Sequence, residues 1–164
     1  MGISCLLATS FQATASSGEK SLRLFHTHTK KSIEVTYFRD GDYDPEGLRS
    51  LNHFLGDFRT GDVVEMDCRL FDILHLIQQT TGSSGTFEII SAYRSRKTNE
   101  MLRARSSGVA KNSLHVHGQA VDVRLTDVDT NQLRDIARSL EMGGVGFYLK
   151  SNFIHIDVGR VRYW

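Results

Sequence analysis

A short apolar strand that contains a carboxylate constrains this chain more than any other part of its sequence. Residues 112–125 read NSLHVHGQAVDVRL. Side chains alternate between the two faces of a β-strand, so Val121 and Val123 share one face while Asp122 lies on the other. The apolar face predicts a strand packed on the core. Asp122 is then directed away from the core, into a cleft.

Two histidines extend this pattern. His115 precedes Gly118, and a glycine there lets the chain turn sharply and bring the imidazole back over Asp122. Farther along, the segment NFIHIDV places His155 and Asp157 on one face of a second strand. Ile154 and Ile156 alternate with them and point into the core. Two strands and one turn therefore direct polar side chains away from the core.

The donor set His115, Asp122 and His155 has two interpretations at this point. One carboxylate and two imidazoles suit zinc and leave a coordination position open for water, whose pKa the cation lowers toward neutrality. The alternative is structural: Asp122 caps a turn or pairs with Arg124, and the backbone satisfies both histidines. Spacing alone leaves both interpretations open.

The order of the predicted elements indicates the fold class. SLRLF and SIEVTYF alternate apolar and polar residues, which predicts a hairpin, and we interpret the histidines of the intervening HTHTKK as strand-end residues. Asp44 as N-cap and Pro45 at the first position predict a helix whose leucines continue at helical spacing to Phe58. Further helices are predicted at 67–79, 96–106 and 129–144, the last stopped by its glycine pair, and strands at 86–95, 145–149 and 152–158. Because helices come early and strands cluster late, we expect a single α+β domain with a mainly antiparallel sheet and flanking helices.

Net charge and hydropathy give no indication of a nucleic acid partner or a membrane span. The net charge is +1, so bulk charge does not favour nucleic acid or an anionic membrane. The apolar run near the start is far shorter than the roughly 20 residues of a membrane span. One local basic cluster stands out, and it is either a solvated face or a rim that attracts an anionic substrate. Its members are Arg94, Arg96, Lys97, Arg103, Arg105 and Lys111.

The N-terminal residues differ in composition from the rest. Residues 1–18 carry no charged side chain, and ATA at 13–15 followed by SSGE resembles a secretory cleavage site. We interpret 1–18 as a truncated signal remnant or a disordered tail and 19–164 as the functional domain. Removal of the remnant leaves Cys68 without a second cysteine, so no internal disulfide is expected.

Several segments resemble one enzyme family. SLHVHGQAVD resembles the S-x-H-x-x-G-x-A-x-D motif of the zinc D-alanyl-D-alanine peptidases, a clan that includes VanX-type dipeptidases and the hedgehog fold. SAYRS and FIHIDVG resemble the S-G-Y-R-S segment and third-ligand strand of that clan. Within it, the long segments LRARSSGVAKNSLHVHGQAVD and GGVGFYLKSNFIHID are most similar to the MepK group of murein endopeptidases.

The resemblance implies a role for each matching residue. His115, Asp122 and His155 become the ligands of one zinc ion. Arg94 matches the arginine that polarises the scissile carbonyl or holds the substrate, although Ala92 replaces the glycine of its segment.

The general base is the point at which the chain departs from the clan. Many members place Glu, Asp or His three residues before the last ligand, and Asn152 stands there, which cannot take a proton. Asp157 is the nearest candidate by strand geometry, and its alternative role is to orient His155. His117 faces the same region without belonging to the motif.

Taken together, the resemblance implies a zinc-dependent murein endopeptidase that hydrolyses peptide cross-links with metal-activated water. We expect a periplasmic monomer that acts on peptidoglycan stem peptides, with no nucleic acid partner and no membrane span. The precursors of the group carry a twin-arginine signal, and the absence of the double arginine fits a truncated start. The alternatives are a D-Ala-D-Ala carboxypeptidase of the same clan and a non-catalytic, zinc-stabilised binding domain.

Overall fold

The fold is described here from a computed structural model that covers residues 18–106 and 108–164. Within that part of the chain, eight strands and four α-helices alternate irregularly. The strands are β1 Lys20–His26, β2 Ser32–Arg39, β3 Asp42–Tyr43, β4 Phe87–Ser91, β5 Ala120–Leu125, β6 Gly144–Tyr148, β7 Phe153–Asp157 and β8 Arg162–Tyr163. The helices are α1 Pro45–Phe54, α2 Cys68–Thr81, α3 Arg96–Arg105 and α4 Thr130–Ser139, with short 3₁₀ turns at Leu114–His117 and Leu149–Ser151.

All eight strands form one sheet in the order β3-β2-β1-β4-β5-β7-β6-β8. Only the β1–β4 and β6–β8 pairs are parallel; the other five neighbouring pairs are antiparallel. The predicted α+β class with a mainly antiparallel sheet is therefore confirmed. The predicted hairpin is β1–β2, with Leu24 opposite Ile33.

The core lies on the face of the sheet that the helices cover. Helix α1 packs on β2, and α2 and α4 pack on each other and on the sheet. In the centre, Val121 and Val123 of β5 and Ile154 and Ile156 of β7 are at most 1% exposed. This burial confirms the predicted apolar faces of both strands and leaves their alternate residues for the opposite side.

Helix α1 begins as predicted and ends earlier. The Asp44 side chain accepts a hydrogen bond from the amide of Glu46 (3.3 Å), with Pro45 in the first turn. The helix stops at Phe54, because the chain turns where the amide of Asp57 donates to the carbonyl of Asp62 (2.8 Å). The helical spacing thus extends by chance to Phe58, which is 38% exposed outside the helix.

The expected role of the glycine pair in stopping α4 is wrong. The helix ends at Ser139, and Glu141 already has a left-handed φ of 52°. The two glycines instead allow close strand packing. A Cβ on Gly143 would lie 1.8 Å from the carbonyl oxygen of Asp157, and one on Gly144 would lie 2.6 Å from its Oδ2.

The predicted signal remnant at 1–18 falls, except for Gly18, outside the described residues. None of the helices in the described ranges is long and apolar enough to cross a membrane.

Candidate metal centre and substrate cleft

Three chain segments bring the predicted donor residues together. Asp122 on β5 and His155 on β7 are direct partners across two antiparallel strands. His115 comes from the Leu114–His117 turn, which ends at Gly118 with a φ of 66°. A side chain is strained at that φ, and a Cβ on Gly118 would also lie 2.7 Å from the carbonyl oxygen of Glu65. The glycine therefore permits the turn that returns the imidazole to the strands, as predicted.

The two imidazoles are oriented by hydrogen bonds at their outer nitrogens. His115 Nδ1 lies 2.6 Å from the carbonyl oxygen of Ala92, so this nitrogen carries the proton and donates. His155 Nε2 lies 3.0 Å from Asp157 Oδ2 and donates to that carboxylate. Each ring thus directs its other nitrogen at Asp122, which is how metal-binding histidines are usually held.

The inner atoms have the spacing that a tetrahedral ion requires. His155 Nδ1 lies 2.8 Å from Asp122 Oδ1, and His115 Nε2 lies 3.2 Å from each of these two atoms. Zinc with bonds of about 2.0–2.1 Å separates neighbouring tetrahedral ligand atoms by about 3.3 Å. Among the described residues, these three form the only group of His, Cys, Asp or Glu side chains close enough to share an ion. The donor set therefore fits zinc.

Burial and the neighbouring charges set the protonation of the donors. Burial lowers the pKa of His115, an effect that Asp122 only partly opposes. Burial acts to raise the pKa of Asp122, but the two histidines hold it well below its usual range. Burial also disfavours the charged form of His155, yet its bonds to Asp122 and Asp157 raise its pKa overall. An ionised carboxylate thus stands between two imidazoles in a nearly dry site.

Arg94 lies beside this group. Its Nη2 is 4.0 Å from Asp122 Oδ2, and its side chain is only 11% exposed. Its Nε is buried and has no hydrogen-bond partner within the described residues. Burial lowers the pKa of Arg94, and the nearby Asp122 opposes this. Arg94 is thus a largely buried cation with one unused donor, directly beside the donor set.

Asp157 lies behind His155, away from the cleft. It is fully buried and accepts hydrogen bonds from the amides of Gly144 (3.2 Å) and Gly159 (2.9 Å). Both oxygens also accept from the guanidinium of Arg162, at 3.0 Å and 2.6 Å. Burial acts to raise the pKa of Asp157, but the bonds to His155 and Arg162 hold it well below its usual range. Two roles were considered for Asp157, general base and orienting group for His155. This environment favours the orienting role.

Neither Asn152, which stands at the clan's usual position for the base, nor His117 lines the metal cleft. Asn152 ends the Leu149–Ser151 turn with a left-handed φ of 51°, a conformation that asparagine tolerates well, and it accepts a hydrogen bond from Thr130. His117 is exposed and lines a neighbouring cleft. His26 and His28, interpreted as strand-end residues, lie near Phe58, on whose ring His28 stacks at 4.6 Å.

The donor set opens into a cleft of about 310 Å³. Three residues not anticipated from the sequence line it: Tyr148, Arg162 and Trp164. The Trp164 indole donates to the Tyr148 hydroxyl (3.0 Å), and its ring centroid lies 5.3 Å from that of His155. The segment VRYW carries no periodic signal, so only its aromatic and basic composition hinted at a site.

Comparison with known proteins identifies relatives over the full length. The family model described as "Peptidoglycan L,D-endopeptidase MepK" matches residues 14–164. A protein of that name from Escherichia coli (strain K12) is 40% identical over 164 residues, which cover all of this chain and 90% of the relative. A Haemophilus influenzae protein named "Probable peptidoglycan L,D-endopeptidase MepK" is 36% identical over 165 residues, covering 100% of this chain and 89% of the relative.

Proposed function

The chain belongs to the peptidoglycan L,D-endopeptidase MepK family, and from that premise we propose that it is a zinc-dependent endopeptidase of peptidoglycan cross-links. The observation that carries the proposal is the buried donor set of His115, Asp122 and His155 with Arg94 beside it at the base of a cleft. Family membership supports the reaction class, and this geometry supports the residues that carry it out.

His115, Asp122 and His155 would hold the zinc ion. When bound, zinc supplies Lewis acidity, which polarises a carbonyl and brings the pKa of water close to 7. The protein keeps the two imidazole donors in place through the Ala92 carbonyl and the Asp157 carboxylate, so little reorganisation is needed at the moment of reaction.

Arg94 would stabilise the negative charge that develops on the carbonyl oxygen of the scissile amide. Its guanidinium is almost fully removed from water, where a hydrogen bond to an oxyanion is worth more than in solvent. Its Nε has no partner among the described residues and is therefore available. No further carboxylate or imidazole lines the described part of the cleft, so we assign no separate general base.

We infer that the scissile bond is an L,D-amide in a cross-link between two murein strands, with links between diaminopimelate residues as the preferred case. The family description names an L,D-endopeptidase, which supports this class of bond. Because that substrate lies outside the cytoplasmic membrane, we propose a periplasmic location, and we propose that the protein acts as a monomer.

Digestion of purified murein tests the proposed function. We expect cross-linked dimers to disappear with a matching gain of monomers in muropeptide chromatography. A chelator should stop the reaction, and added zinc should restore it. Release of terminal D-alanine with intact cross-links would identify a carboxypeptidase instead. Absence of any hydrolysis by the zinc-loaded protein would favour a binding domain.

Asp157→Asn tests the orienting role. Removing the charge weakens the hold on the His155 imidazole, so we expect zinc affinity to fall by about 10–100-fold, as for other outer partners of metal ligands. At saturating zinc, turnover should return to within a few-fold of the wild-type value. Competition with a chromogenic chelator measures the affinity, and kinetics across zinc concentrations measure the recovery.

Arg162→Gln is the matched control for this variant. It breaks the same ion pair while leaving the bond between Asp157 and His155 in place. Zinc affinity should therefore fall less than in Asp157→Asn. If Asp157→Asn instead keeps full zinc affinity and loses turnover at every zinc concentration, Asp157 is the general base and the orienting role is wrong.

A further inference from the structure

A second cleft of about 230 Å³ adjoins the metal cleft. Its walls come from α3 and from the segment 111–117. Asn112 and Ser113 line both clefts and form a wall that the two share. We call it the basic cleft, because its lining includes Arg96, Arg103, Lys111 and His117, with Glu100 as its one acidic residue.

The three Arg and Lys side chains of the basic cleft are not engaged in ion pairs within the described residues. These side chains are Arg96, Arg103 and Lys111. By contrast, Arg124 and Arg162 elsewhere on the surface are paired with Glu88 and Asp157. Like charges gathered in a concave site repel one another and raise the local concentration of anions.

Asn99 supplies a second observation in the same place. It lines the basic cleft, is only 3% exposed, and donates through Nδ2 to the carbonyl oxygen of Ala110 (3.2 Å). Its Oδ1 has no hydrogen-bond partner among the described residues. Buried acceptors are nearly always satisfied, so an unused one suits a ligand N–H group. A peptide that bears carboxylates offers both an anion for the cations and an amide N–H for Asn99.

We propose that the basic cleft is a substrate subsite, which binds a free carboxylate of the stem peptide that lies beyond the scissile amide. This assignment rests on the proposed function. A ligand that spans the shared wall at Ser113 places one amide at the metal donors while its neighbouring carboxylate meets Arg103 and Lys111. Charge-assisted hydrogen bonds to such a carboxylate favour the free acid over its carboxamide. The subsite thereby selects cross-linked peptides whose flanking carboxyl groups are unmodified.

The test compares two substrates and two enzyme variants. The substrates are a cross-linked peptide dimer with free carboxyl groups and the same dimer amidated beyond the scissile bond. For the double variant Arg103→Gln/Lys111→Gln, we expect KM for the free acid to rise by about 10–100-fold while kcat changes less than about 2-fold. On the amidated dimer, wild type and double variant should have similar KM values. Arg105→Gln is the control for the Arg103 substitution, because it removes one positive charge from the same helix outside both clefts.

Two outcomes overturn the subsite. One is an unchanged KM for the free acid in the double variant. The other is an equal rise in KM for both substrates, since the carboxylate is then not what the cations recognise. Calorimetric binding of the free-acid dimer separates the subsite from the proposed function. Binding that weakens in the double variant and with added salt supports the subsite even if the wild type hydrolyses nothing. If the double variant hydrolyses cross-links with an unaltered KM, the proposed function is supported and the proposed subsite is wrong.

Discussion

Replacing His115 with alanine is expected to remove nearly all bound zinc and, with it, hydrolysis. The wild-type protein should carry about one zinc per chain, as a single three-ligand site implies. His115 contributes one of three donor atoms, and it comes from a different segment than the two strands that supply the others. We expect zinc affinity to fall by more than about 100-fold, beyond the effect of losing an outer partner. Elemental analysis after gel filtration measures the metal content.

His117→Ala is the matched control, since it removes an exposed imidazole two residues away on the same turn. It should keep the full zinc content. His115→Ala also opens a cavity and leaves the Ala92 carbonyl without its donor, so Asp122→Asn provides a second variant of nearly native shape. Loss of zinc in both, with cooperative unfolding retained in Asp122→Asn, supports the site. Full zinc retention in both variants would show that the metal binds at another site.

The sequence predicted those parts of the fold that local signals determine. The alternation in β1 and β2 predicted their pairing, and Asp44 with Pro45 located the start of α1. The prediction failed where contacts outside an element determine where that element begins or ends. The end of α1 depends on a loop closed between Asp57 and Asp62, which no helical periodicity reveals. Strand β8 has only two residues and is held by parallel pairing with β6, so its own sequence carries no strand pattern.

In the candidate site, too, only the residues with a local sequence signal could be predicted. Strand alternation directed Asp122 and His155 away from the core, and their pairing across β5 and β7 brings them face to face. The residues that support them lie elsewhere in the chain. Ala92 acts through its backbone carbonyl, which is independent of side-chain identity, and Arg162 reaches Asp157 from β8. These contacts depend on tertiary packing, and the sequence gives no local signal for them.

Arg94→Ala is expected to lower turnover by about 100- to 1,000-fold, the usual effect of losing one oxyanion donor. The guanidinium lies 4.0 Å from Asp122, close enough to meet an oxygen of a substrate held at the donor set. KM should change less than kcat, because the developing negative charge exists only in the transition state. Arg94→Lys keeps the charge but not the planar fork, so we expect it to recover only part of the loss.

Zinc content and stability distinguish this role from a structural one. Arg94 contacts Asp122 only at 4.0 Å, and the Asp122 carboxylate keeps its contacts to both histidines, so replacing Arg94 should lower the free energy of unfolding by no more than about 2 kcal/mol. Arg124→Gln is the matched control, since Arg124 lies on the same face of β5 as Asp122 but pairs with Glu88 outside the cleft. It should keep nearly full turnover. If Arg94→Ala retains wild-type turnover and instead loses several kcal/mol of stability, Arg94 is a structural residue, and the transition state draws its stabilisation from other groups in the cleft.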